Sequence, residues 1–567
     1  MLGIMDIQNL LRETIQQALT SIGIEGAHFA LEFPTDSAHG DYATNVAMVF
    51  AKQLGKNPKE LAGEIKTEIE KALPQEIAHI EIAGPGFINF TLSNIFFVHE
   101  LNYIEQKGEV YGKSTIHDRK NVLIEHSSPN LFKAFHIGHV MNNTVGEAIS
   151  RLAKFSGAEV KVISYPSDIS LGIGKAVYIM LADGKEKLNS YATDTEKLAY
   201  LGECYVRGTK AFEESDEIKT RVREITKHLY DHAPSEELTA YEAGKEINLD
   251  YFKKIVARLG SHFDAFIYES EAGKVGQQIV ESNAGSIFTK SEGAVVYEGE
   301  KVGLHTRVFI NSEGYPTYEA KDIGLMSLKF ERYNPDLSIF ITDHEQTNYF
   351  EVVKSAAGEI NPVWAEKTVH RTHGRMSFKG QKMSSRLGGV PLAATLIDTV
   401  VEEVKEKNPE STGVSADMIA IGALKLSILR AKAGSNINFD PETSLSFEGD
   451  SGPYLQYSIV RAKSVLNKAL AQELSPVFDE TKAFNQLERQ LTRFPFVVEK
   501  SIAEWAPHHV AIYVLELAHL WNSWYGNTHI IDSDKKVAEH NLFIAKQTAQ
   551  VLENAVRLLG IEIPQSM

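Results

Sequence analysis

Residues 133–139 combine side chains that suit the binding of a polyphosphate. Lys133, His136 and His139 recur at every third position, so on a helix they lie close to one face within two turns. The start of a helix binds phosphate well, because its free backbone N–H groups and its dipole attract negative charge. Gly138 removes a side chain between the two histidines, which leaves room for a flat base against the backbone. The spacing therefore predicts a phosphate site with a base beside it.

A strand, a turn and a helix must position these side chains. Val122 to Ile124 form a short apolar run, as a buried parallel strand does, and a polar turn follows from Glu125. Asn130 is a candidate N-cap, which would start the helix there and place Lys133 in its first turn. Two histidines at this spacing also occur as surface or core residues or as half of a metal site. The strand–turn–helix context favours the phosphate interpretation.

The stretch SSPN-x-x-K-x-x-HIGH resembles the HIGH signature of class I aminoacyl-tRNA synthetases, and in its extended form that of arginyl-tRNA synthetases. The resemblance implies that His136, Gly138 and His139 bind ATP and that the histidines donate hydrogen bonds to its phosphates. It also implies that four further residues bind the backbone amino and carboxyl groups of the amino acid. These residues are Glu125, Ser128, Asn130 and Lys133.

A second motif lies in the glycine-flanked basic segment 373–389, HGRMSFKGQKMSSRLGG. Beside the first signature it resembles the KMSK loop, with Ser385 in place of the family's second lysine. The resemblance implies that Lys382, Met383 and Ser384 bind ATP and that Lys382 neutralises the leaving pyrophosphate. Lys379 and Arg386 are the alternative carriers of that charge.

An arginine substrate needs fixed carboxylates, because the planar fork of its guanidinium pairs with them through two hydrogen bonds. Tyr318 and Asp322 are four apart at a predicted helix start, hence on one face. The resemblance implies an arginine site formed by Glu269 and Asp322, with Tyr318 as a hydroxyl or stacking partner. Asp343, His344 and Gln346, at the end of a buried strand, are weaker candidates. Asp168 lies where the family has a G-D-W-G-like loop, but the tryptophan is missing and the role of Asp168 stays open.

Alternating strands and helices predict an α/β core with a doubly wound, Rossmann-like parallel sheet. We expect an N-terminal α+β domain at 1–112, the catalytic core at 113–400 with a charged helical insertion at about 185–265, a helical connection at 401–446 and an all-α bundle at 447–567. The N-terminal domain should contain a long helix that opens near Pro58 and a hairpin that turns at Gly84 to Gly86. From residue 391 onward the pattern is helical. The motif G-P-Y-x-Q-Y-x-x-x-R at 452–461 resembles the DALR-type anticodon-binding bundle. The resemblance implies weak tRNA-contact candidates: Tyr42, Asn45, Phe87, Asn89, Gln456, Tyr457 and Arg461.

Composition limits the alternatives. The formal net charge is −17, no apolar run approaches the roughly 20 residues of a membrane span, and Cys204 is the one cysteine. One cysteine excludes a disulfide framework and a thiolate zinc site. We expect a cytoplasmic monomer without zinc or membrane contact. Net charge decides little about RNA, which binds to local basic patches.

The resemblance thus implies an arginine–tRNA ligase. It would use ATP, with Mg²⁺ as a helper, to convert L-arginine to arginyl adenylate, and would then move the arginyl group to the 3′ end of tRNA(Arg). A cysteinyl enzyme of the same class is excluded, because one cysteine cannot supply its zinc site. A non-catalytic RNA-binding paralogue and a small-molecule nucleotidyltransferase are the other hypotheses. The intact histidines and Lys382 oppose the first, and the two terminal domains oppose the second.

Overall fold

The computed structural model describes residues 7–25, 28–34, 36–133, 135–379, 392–409 and 413–567. The chain divides into two compact units. The first comprises Met1–Tyr111, Ala462–Phe494 and His519–Leu552, and the second Gly112–Arg461, Pro495–Ala518 and Glu553–Met567. Across the described ranges, no helix combines the length and the apolar character needed to cross a membrane.

The N-terminal part of the first unit is an α+β fold with a four-stranded antiparallel sheet of order β1-β2-β4-β3. Helix α3 starts as predicted, with Pro58 as its first residue and the Asn57 side chain capping it. The predicted hairpin through Gly84 to Gly86 joins β3 and β4. The elements are α1 Ile7–Ser21, β1 Leu31–Glu32, β2 Tyr42–Thr44, α2 Val46–Leu54, α3 Pro58–Glu70, β3 Ile77–Ala83, β4 Phe87–Leu92 and α4 Asn94–Lys107.

The second unit contains a five-stranded parallel sheet of order β12-β11-β5-β6-β7, which confirms the doubly wound core. The chain leaves β5 toward β6 on one side and later returns to β11 on the other, so the topological switch point lies between β5 and β11. The first elements are β5 Asn121–Glu125, α5 Ile137–Phe155, β6 Glu159–Ser164 and α6 Leu171–Asp183. The predicted insertion follows as four helices, α7 Glu186–Asn189, α8 Asp194–Glu214, α9 Asp216–Asp231 and α10 Glu236–Arg258.

The chain then completes the parallel sheet and adds a small antiparallel sheet of order β10-β9-β8. These elements are β7 Ala265–Phe266, α11 Glu269–Ser282, β8 Thr289–Ser291, β9 Ala294–Tyr297, β10 Arg307–Ile310, α12 Tyr318–Tyr333, β11 Leu337–Asp343, α13 Thr347–Ile360, α14 Pro362–Glu366, β12 Thr368–His373 and β13 Met376–Phe378. The helix start predicted at Tyr318 is confirmed.

The remaining chain is mainly helical, with one exception to the prediction. Strand β14 pairs in parallel with β13, so the segment after 391 is not helical throughout. Its residues Ile437 and Phe439 pack against a hydrophobic core of the second unit, which favours an extended segment there. The elements are α15 Ala393–Lys407, α16 Gly413–Leu429, β14 Ile437–Phe439, α17 Pro441–Ser444, α18 Gly452–Leu470, α19 Gln486–Leu491, α20 Phe494–Glu504, α21 His508–Asn527 and α22 Lys535–Leu558.

The predicted start of the signature helix was wrong. Helix α5 begins at Ile137 with His136 as its N-cap, not at Asn130, so Lys133 lies in a turn before the helix. Asn130 instead forms a bridge with Ser167, and Phe132 has a positive φ of 62°, which a right-handed helix cannot contain. The loop between β5 and α5 is therefore longer than the sequence pattern indicated.

Candidate active site

The two signature histidines form the cap of helix α5. The Gly138 backbone N–H donates to Nδ1 of His136 at 3.1 Å, and the His136 backbone N–H donates to Nδ1 of His139 at 3.1 Å. Their ring centroids lie 4.0 Å apart. A Cβ added to Gly138 would come within 2.9 Å of Cε1 of His136, so the glycine makes room for this ring.

These hydrogen bonds determine which ring nitrogens can act as donors. Both Nδ1 atoms accept a hydrogen bond from a backbone N–H, so in the neutral rings the proton lies on Nε2. Burial lowers the pKa of His139 to about 3, and the neighbouring His136 and His373 add to the effect. Burial, together with Lys133, also lowers the pKa of His136. At neutral pH the cap therefore presents two neutral imidazoles with Nε2–H donors at a helix N-terminus.

The loop before the helix is held by buried polar contacts at the switch point. The side chain of Asn142, on α5, accepts from the Ser127 N–H at 2.6 Å and donates to the Ile341 carbonyl of β11 at 2.7 Å. Ser127 has a positive φ of 56° and is fully buried. The His126 ring packs on Gly146 so closely that a Cβ there would lie 2.3 Å from Cγ of His126. The carboxyl ends of β5 and β11 are thus tied to the helix that carries the histidines.

Two lysine–carboxylate pairs lie buried at the carboxyl end of β5 and at the start of α11. Lys329 Nζ donates to Glu125 at 2.6 Å, and Lys321 Nζ donates to Glu269. All four residues are less than 9% exposed. Burial opposes the charge of Lys321, but Glu269 outweighs it and raises the pKa of Lys321 above its usual value. Each of these two carboxylates therefore already has a cation.

Asp322 belongs to the same group but makes no ion pair with any described residue. The Tyr349 hydroxyl donates to it. Burial raises the pKa of Asp322 to about 8, the Tyr349 hydrogen bond opposes the shift, and Glu125 and Glu269 add to it. Burial also raises the pKa of Tyr165, and the nearby carboxylates Asp322, Glu269 and Glu125 add to this shift. The enclosed hydroxyl of Tyr165 has no hydrogen-bond partner among the described residues. Among the described residues of this pocket, Asp322 thus has no cation and the Tyr165 hydroxyl has no hydrogen-bond partner.

Helices α11 and α12 carry the pocket residues at their N-termini and are in backbone contact farther along. A Cβ added to Gly276 would lie 1.8 Å from the Ala320 carbonyl oxygen, and one added to Gly324 would lie 1.9 Å from the Ala272 carbonyl oxygen. Only glycine fits at either position, so Glu269 and Asp322 are held at a distance that the two backbones determine.

Other predicted site residues lie around this pocket with varied exposure. Ser128 and Asn130 are exposed, and Ser128 Oγ accepts from the Tyr165 N–H at 3.3 Å. Lys133 Nζ lies 4.6 Å from the centroid of the Tyr205 ring. Tyr318 is 61% exposed, with Lys321 Nζ 5.2 Å from its ring centroid. None of these side chains is held as tightly as the carboxylates.

The second motif and the segment at the end of β11 contribute less to the described site. Lys382, Met383 and Ser384, with Ser385 and Arg386, lie outside the described residues. Lys379 is described, and its Nζ donates to Asp440 at 2.8 Å. Gln346 is exposed before α13. Asp343, at the end of β11, accepts from Arg375 at 3.3 Å.

The candidates for RNA contact divide into buried and accessible side chains. Tyr42, Asn89 and Gln456 are 4%, 5% and 0% exposed, so they offer RNA little surface. Gln456 instead donates to the carbonyls of Met418 and Glu562. The accessible candidates are Asn45, which is half-buried, Phe87, which is 38% exposed, and the pair Tyr457 and Arg461, in which Arg461 donates to the Tyr457 hydroxyl at 2.9 Å.

Sequence reasoning missed Lys321, Lys329, Tyr165 and Tyr349. A signal existed for the lysines: Lys321, Leu325 and Lys329 recur at intervals of four on α12, and all three are buried. A lysine in an apolar helical stripe requires a buried carboxylate partner. Among the described residues no group of three or more His, Cys, Asp or Glu side chains could hold a metal ion.

Three family profiles together match most of the chain. A family profile described as "tRNA synthetases class I (R), catalytic domain" matches residues 101–440, "Arginyl tRNA synthetase N terminal domain" matches 7–92, and "DALR anticodon binding domain" matches 455–567. The chain is 30% identical over 579 residues to an arginine–tRNA ligase of Clostridium perfringens, covering 99% of this chain and 100% of the relative. It is 30% identical over 552 residues to that of Pediococcus pentosaceus, covering 95% of each.

Solved structures share the fold over the same length. The Thermus thermophilus arginyl-tRNA synthetase superimposes with a TM-score of 0.80 at 24% identity, covering 99% of this chain and 100% of that one. The Plasmodium falciparum arginyl-tRNA synthetase gives a TM-score of 0.81 at 17% identity and covers both chains fully. The catalytic core, the N-terminal domain and the helical bundle thus occur together in these proteins.

Proposed function

The chain belongs to the arginyl-tRNA synthetase family, and from that premise we propose that it activates L-arginine with ATP and transfers the arginyl group to tRNA(Arg). The observation that carries the proposal is the composition of the buried pocket. Three carboxylates, Glu125, Glu269 and Asp322, lie with two lysines, so one carboxylate is left for a cation brought by the substrate.

The guanidinium of arginine suits Asp322 better than an ammonium does. Its planar fork can donate two hydrogen bonds to one carboxylate while other N–H groups reach a neighbouring acceptor. We assign Asp322 as the main guanidinium acceptor, with Glu269 and the Tyr318 ring beside it and Gln346 as a further candidate. Glu125, Ser128 and Asn130 would then bind the amino and carboxyl groups of the amino acid.

Activation is an in-line displacement that needs positioning and charge stabilisation rather than covalent catalysis. A carboxylate oxygen of arginine attacks the α-phosphorus of ATP, the bond to the β-phosphate oxygen breaks, and pyrophosphate leaves. We propose that His136 and His139 donate from Nε2 to phosphate oxygens as charge develops there, and that Lys133 adds a positive charge. A terminal hydroxyl of the tRNA then attacks the adenylate carbonyl and releases AMP.

The base and the leaving group have their own assignments. We propose that the base of ATP lies near Gly138, and that Lys382, Met383 and Ser384 hold the triphosphate. Lys379 or Arg386 could share the charge of pyrophosphate with Lys382. Mg²⁺ would arrive with ATP, held chiefly by its phosphates, since no cluster of metal ligands occurs among the described residues. Mg²⁺ would supply additional neutralisation of the phosphate oxygens.

The domain assignments complete the proposal. We propose that the N-terminal domain at 1–112 contacts tRNA through exposed residues such as Phe87, and that the bundle at 447–567 binds the anticodon with Tyr457 and Arg461 at its surface. The catalytic core at 113–400 and the connection at 401–446 lie between them in the chain. We propose a cytoplasmic monomer.

The test is ATP–pyrophosphate exchange with each of the amino acids, with and without total tRNA. We expect exchange with arginine alone, and dependence on added tRNA as is common in the family. A non-catalytic RNA-binding protein would exchange with none of them. A small-molecule nucleotidyltransferase would need an acceptor other than an amino acid, so it too would show no exchange with any of them. That result would overturn the proposal.

A further inference from the structure

The buried carboxylate of Asp168 links the helical insertion to the arginine pocket. Asp168 is 0% exposed and accepts four hydrogen bonds. Its Oδ1 accepts from the Ser270 N–H and its Oδ2 from the Ser270 hydroxyl, both at 2.9 Å. Its Oδ2 also accepts from Lys245 Nζ at 2.9 Å and from the Tyr241 hydroxyl at 3.3 Å. Ser270 belongs to α11, and Lys245 and Tyr241 belong to helix α10 of the insertion.

The bonds to Ser270 fix the first turn of α11. Tyr268, the N-cap residue, makes no side-chain cap hydrogen bond, so the cap comes from Asp168 in a different segment. A carboxylate that caps a helix from outside its own chain segment fixes both the position and the rotation of the first turn. Glu269 is the residue before Ser270 and the first residue of α11. Any movement of this turn therefore moves a carboxylate of the pocket.

Lys245 contacts the same turn a second time. Its Nζ lies 3.9 Å from the centroid of the Tyr268 ring, in addition to its ion pair with Asp168. Because Asp168 is fully buried, it needs this cation: an uncompensated buried carboxylate is strongly disfavoured. About one fifth of the Lys245 side chain is exposed. Because Lys245 lies on α10, the cation that pairs with Asp168 belongs to the insertion and not to the catalytic sheet.

Helix α10 also contacts the loop of the signature motif. The ring of Tyr241 stacks on Phe132 at 6.3 Å between centroids and 4° between planes. A Cβ added to Gly244 would lie 2.5 Å from Cζ of Phe132. Phe132 is fully buried with a φ of 62°, in the loop that leads to His136. One face of α10 thus touches both segments that carry proposed substrate ligands.

We propose that helix α10 of the insertion positions the arginine pocket: Lys245 and Tyr241 act through Asp168 as positioning residues for Glu269 and thereby determine the affinity for the guanidinium. This inference rests on the proposed arginine–tRNA ligase activity. Neither Lys245 nor Asp168 touches the substrate in this proposal. We expect their effect to be confined to arginine, because Glu269, the residue that they position, is assigned to the guanidinium and not to ATP.

The test compares two lysines of the same helix. Lys245→Met removes the cation from Asp168, whereas Lys254→Met removes a lysine of the same helix whose ion pair is an exposed one with Asp194. Loss of one charge-assisted hydrogen bond at a positioned group corresponds to about a tenfold change. In exchange assays we expect Lys245→Met to raise the KM for arginine about tenfold, with the KM for ATP within about twofold of wild type. Lys254→Met should match wild type.

Two further variants separate positioning from general stability. Lys245→Arg keeps the cation and should restore most of the arginine affinity, while Asp168→Asn should lower it further at an unchanged KM for ATP. Melting temperatures are measured for all variants. A wild-type KM for arginine in Lys245→Met, or equal losses for arginine and ATP, would overturn the inference while leaving the proposed function intact. Absence of arginine-dependent exchange in the wild-type protein would overturn both.

Discussion

Asp322 provides the most direct test of how the pocket selects arginine. Its carboxyl is partly buried beside two carboxylates that already have lysine partners, and its pKa is raised to about 8 by burial and by those neighbours. Without substrate it is therefore mainly protonated at pH 7. A guanidinium binds the ionised form, so arginine must displace the proton. We expect the arginine affinity to depend on pH in a way that the ATP affinity does not.

The size of the effect follows from the pKa. If arginine binds only the ionised carboxyl, the apparent KM for arginine is multiplied by a factor of 1 + 10^(8 − pH), which is about 100 at pH 6, about 10 at pH 7 and about 2 at pH 8. The sign is fixed: raising the pH through 8 ionises Asp322 and strengthens binding. At pH 7 the binding of one arginine should release about 0.9 proton. Asp322→Asn removes both the charge and its titration, and should cost about 2–5 kcal/mol of arginine binding.

The assay is ATP–pyrophosphate exchange with saturating tRNA at pH values from 6 to 9, with arginine and ATP varied separately. Glu331→Gln is the matched control, because Glu331 is an exposed carboxylate on the same helix. Calorimetry of arginine binding in two buffers of different ionisation enthalpy measures the released proton. A KM for arginine that does not change between pH 6 and 8, or a pH dependence that persists in Asp322→Asn, would refute the reasoning.

Other perturbations have equally definite outcomes. His139→Ala should slow exchange about a hundredfold at saturating substrates, as loss of one transition-state donor does, and a folded variant with wild-type rates would contradict the assignment. Gly138→Ala should displace the His136 ring and lower the exchange rate by about tenfold with a small change in melting temperature. Deleting residues 447–567 should yield insoluble protein, since 495–518 and 553–567 belong to the same compact unit as the catalytic core; a soluble truncated core would disprove this. Burial lowers the pKa of His126 to about 4, so the unfolded chain takes up its proton first as the pH falls below 6.5. Between pH 7 and 5 the contribution of His126 should lower the free energy of unfolding by about 2 kcal/mol. Chemical denaturation at the two pH values measures this loss, which should be absent in His126→Asn.

Much of the fold was predictable because its signals are local. Apolar runs indicated the parallel strands, and the Gly84–Gly86 turn and Pro58 marked a hairpin and a helix start in the N-terminal domain. The N-cap of the signature helix was misplaced by six residues, from His136 to Asn130, because asparagine is a favoured N-cap residue. The bridge from Asn130 to Ser167 depends on a segment 37 residues away, which no local pattern contains.

The identities of several site residues could be predicted from the sequence, but their contacts with one another could not. The motif resemblance led to Glu125, Glu269 and Asp322, but not to the lysines that neutralise two of them. That pairing decides which carboxylate is available to the substrate, and it requires the packing of α12 against the sheet. Likewise the histidines were expected to face phosphate, whereas their role as a mutual helix cap, which sets the tautomer, depends on where the helix begins.

The backbone contact between α11 and α12 has a consequence for redesign of this pocket. Gly276 and Gly324 are not proposed to touch the substrate, yet the close backbone contact at these glycines determines the distance between the N-termini of the two helices. A side chain at either glycine would push both helices apart and enlarge the pocket as a whole, whereas exchanging pocket side chains only reshapes its lining. Enzymes that accept bulkier guanidino compounds should therefore be sought among variants at these two remote positions, where a change in amino-acid size is converted into a change in the width of the binding cleft.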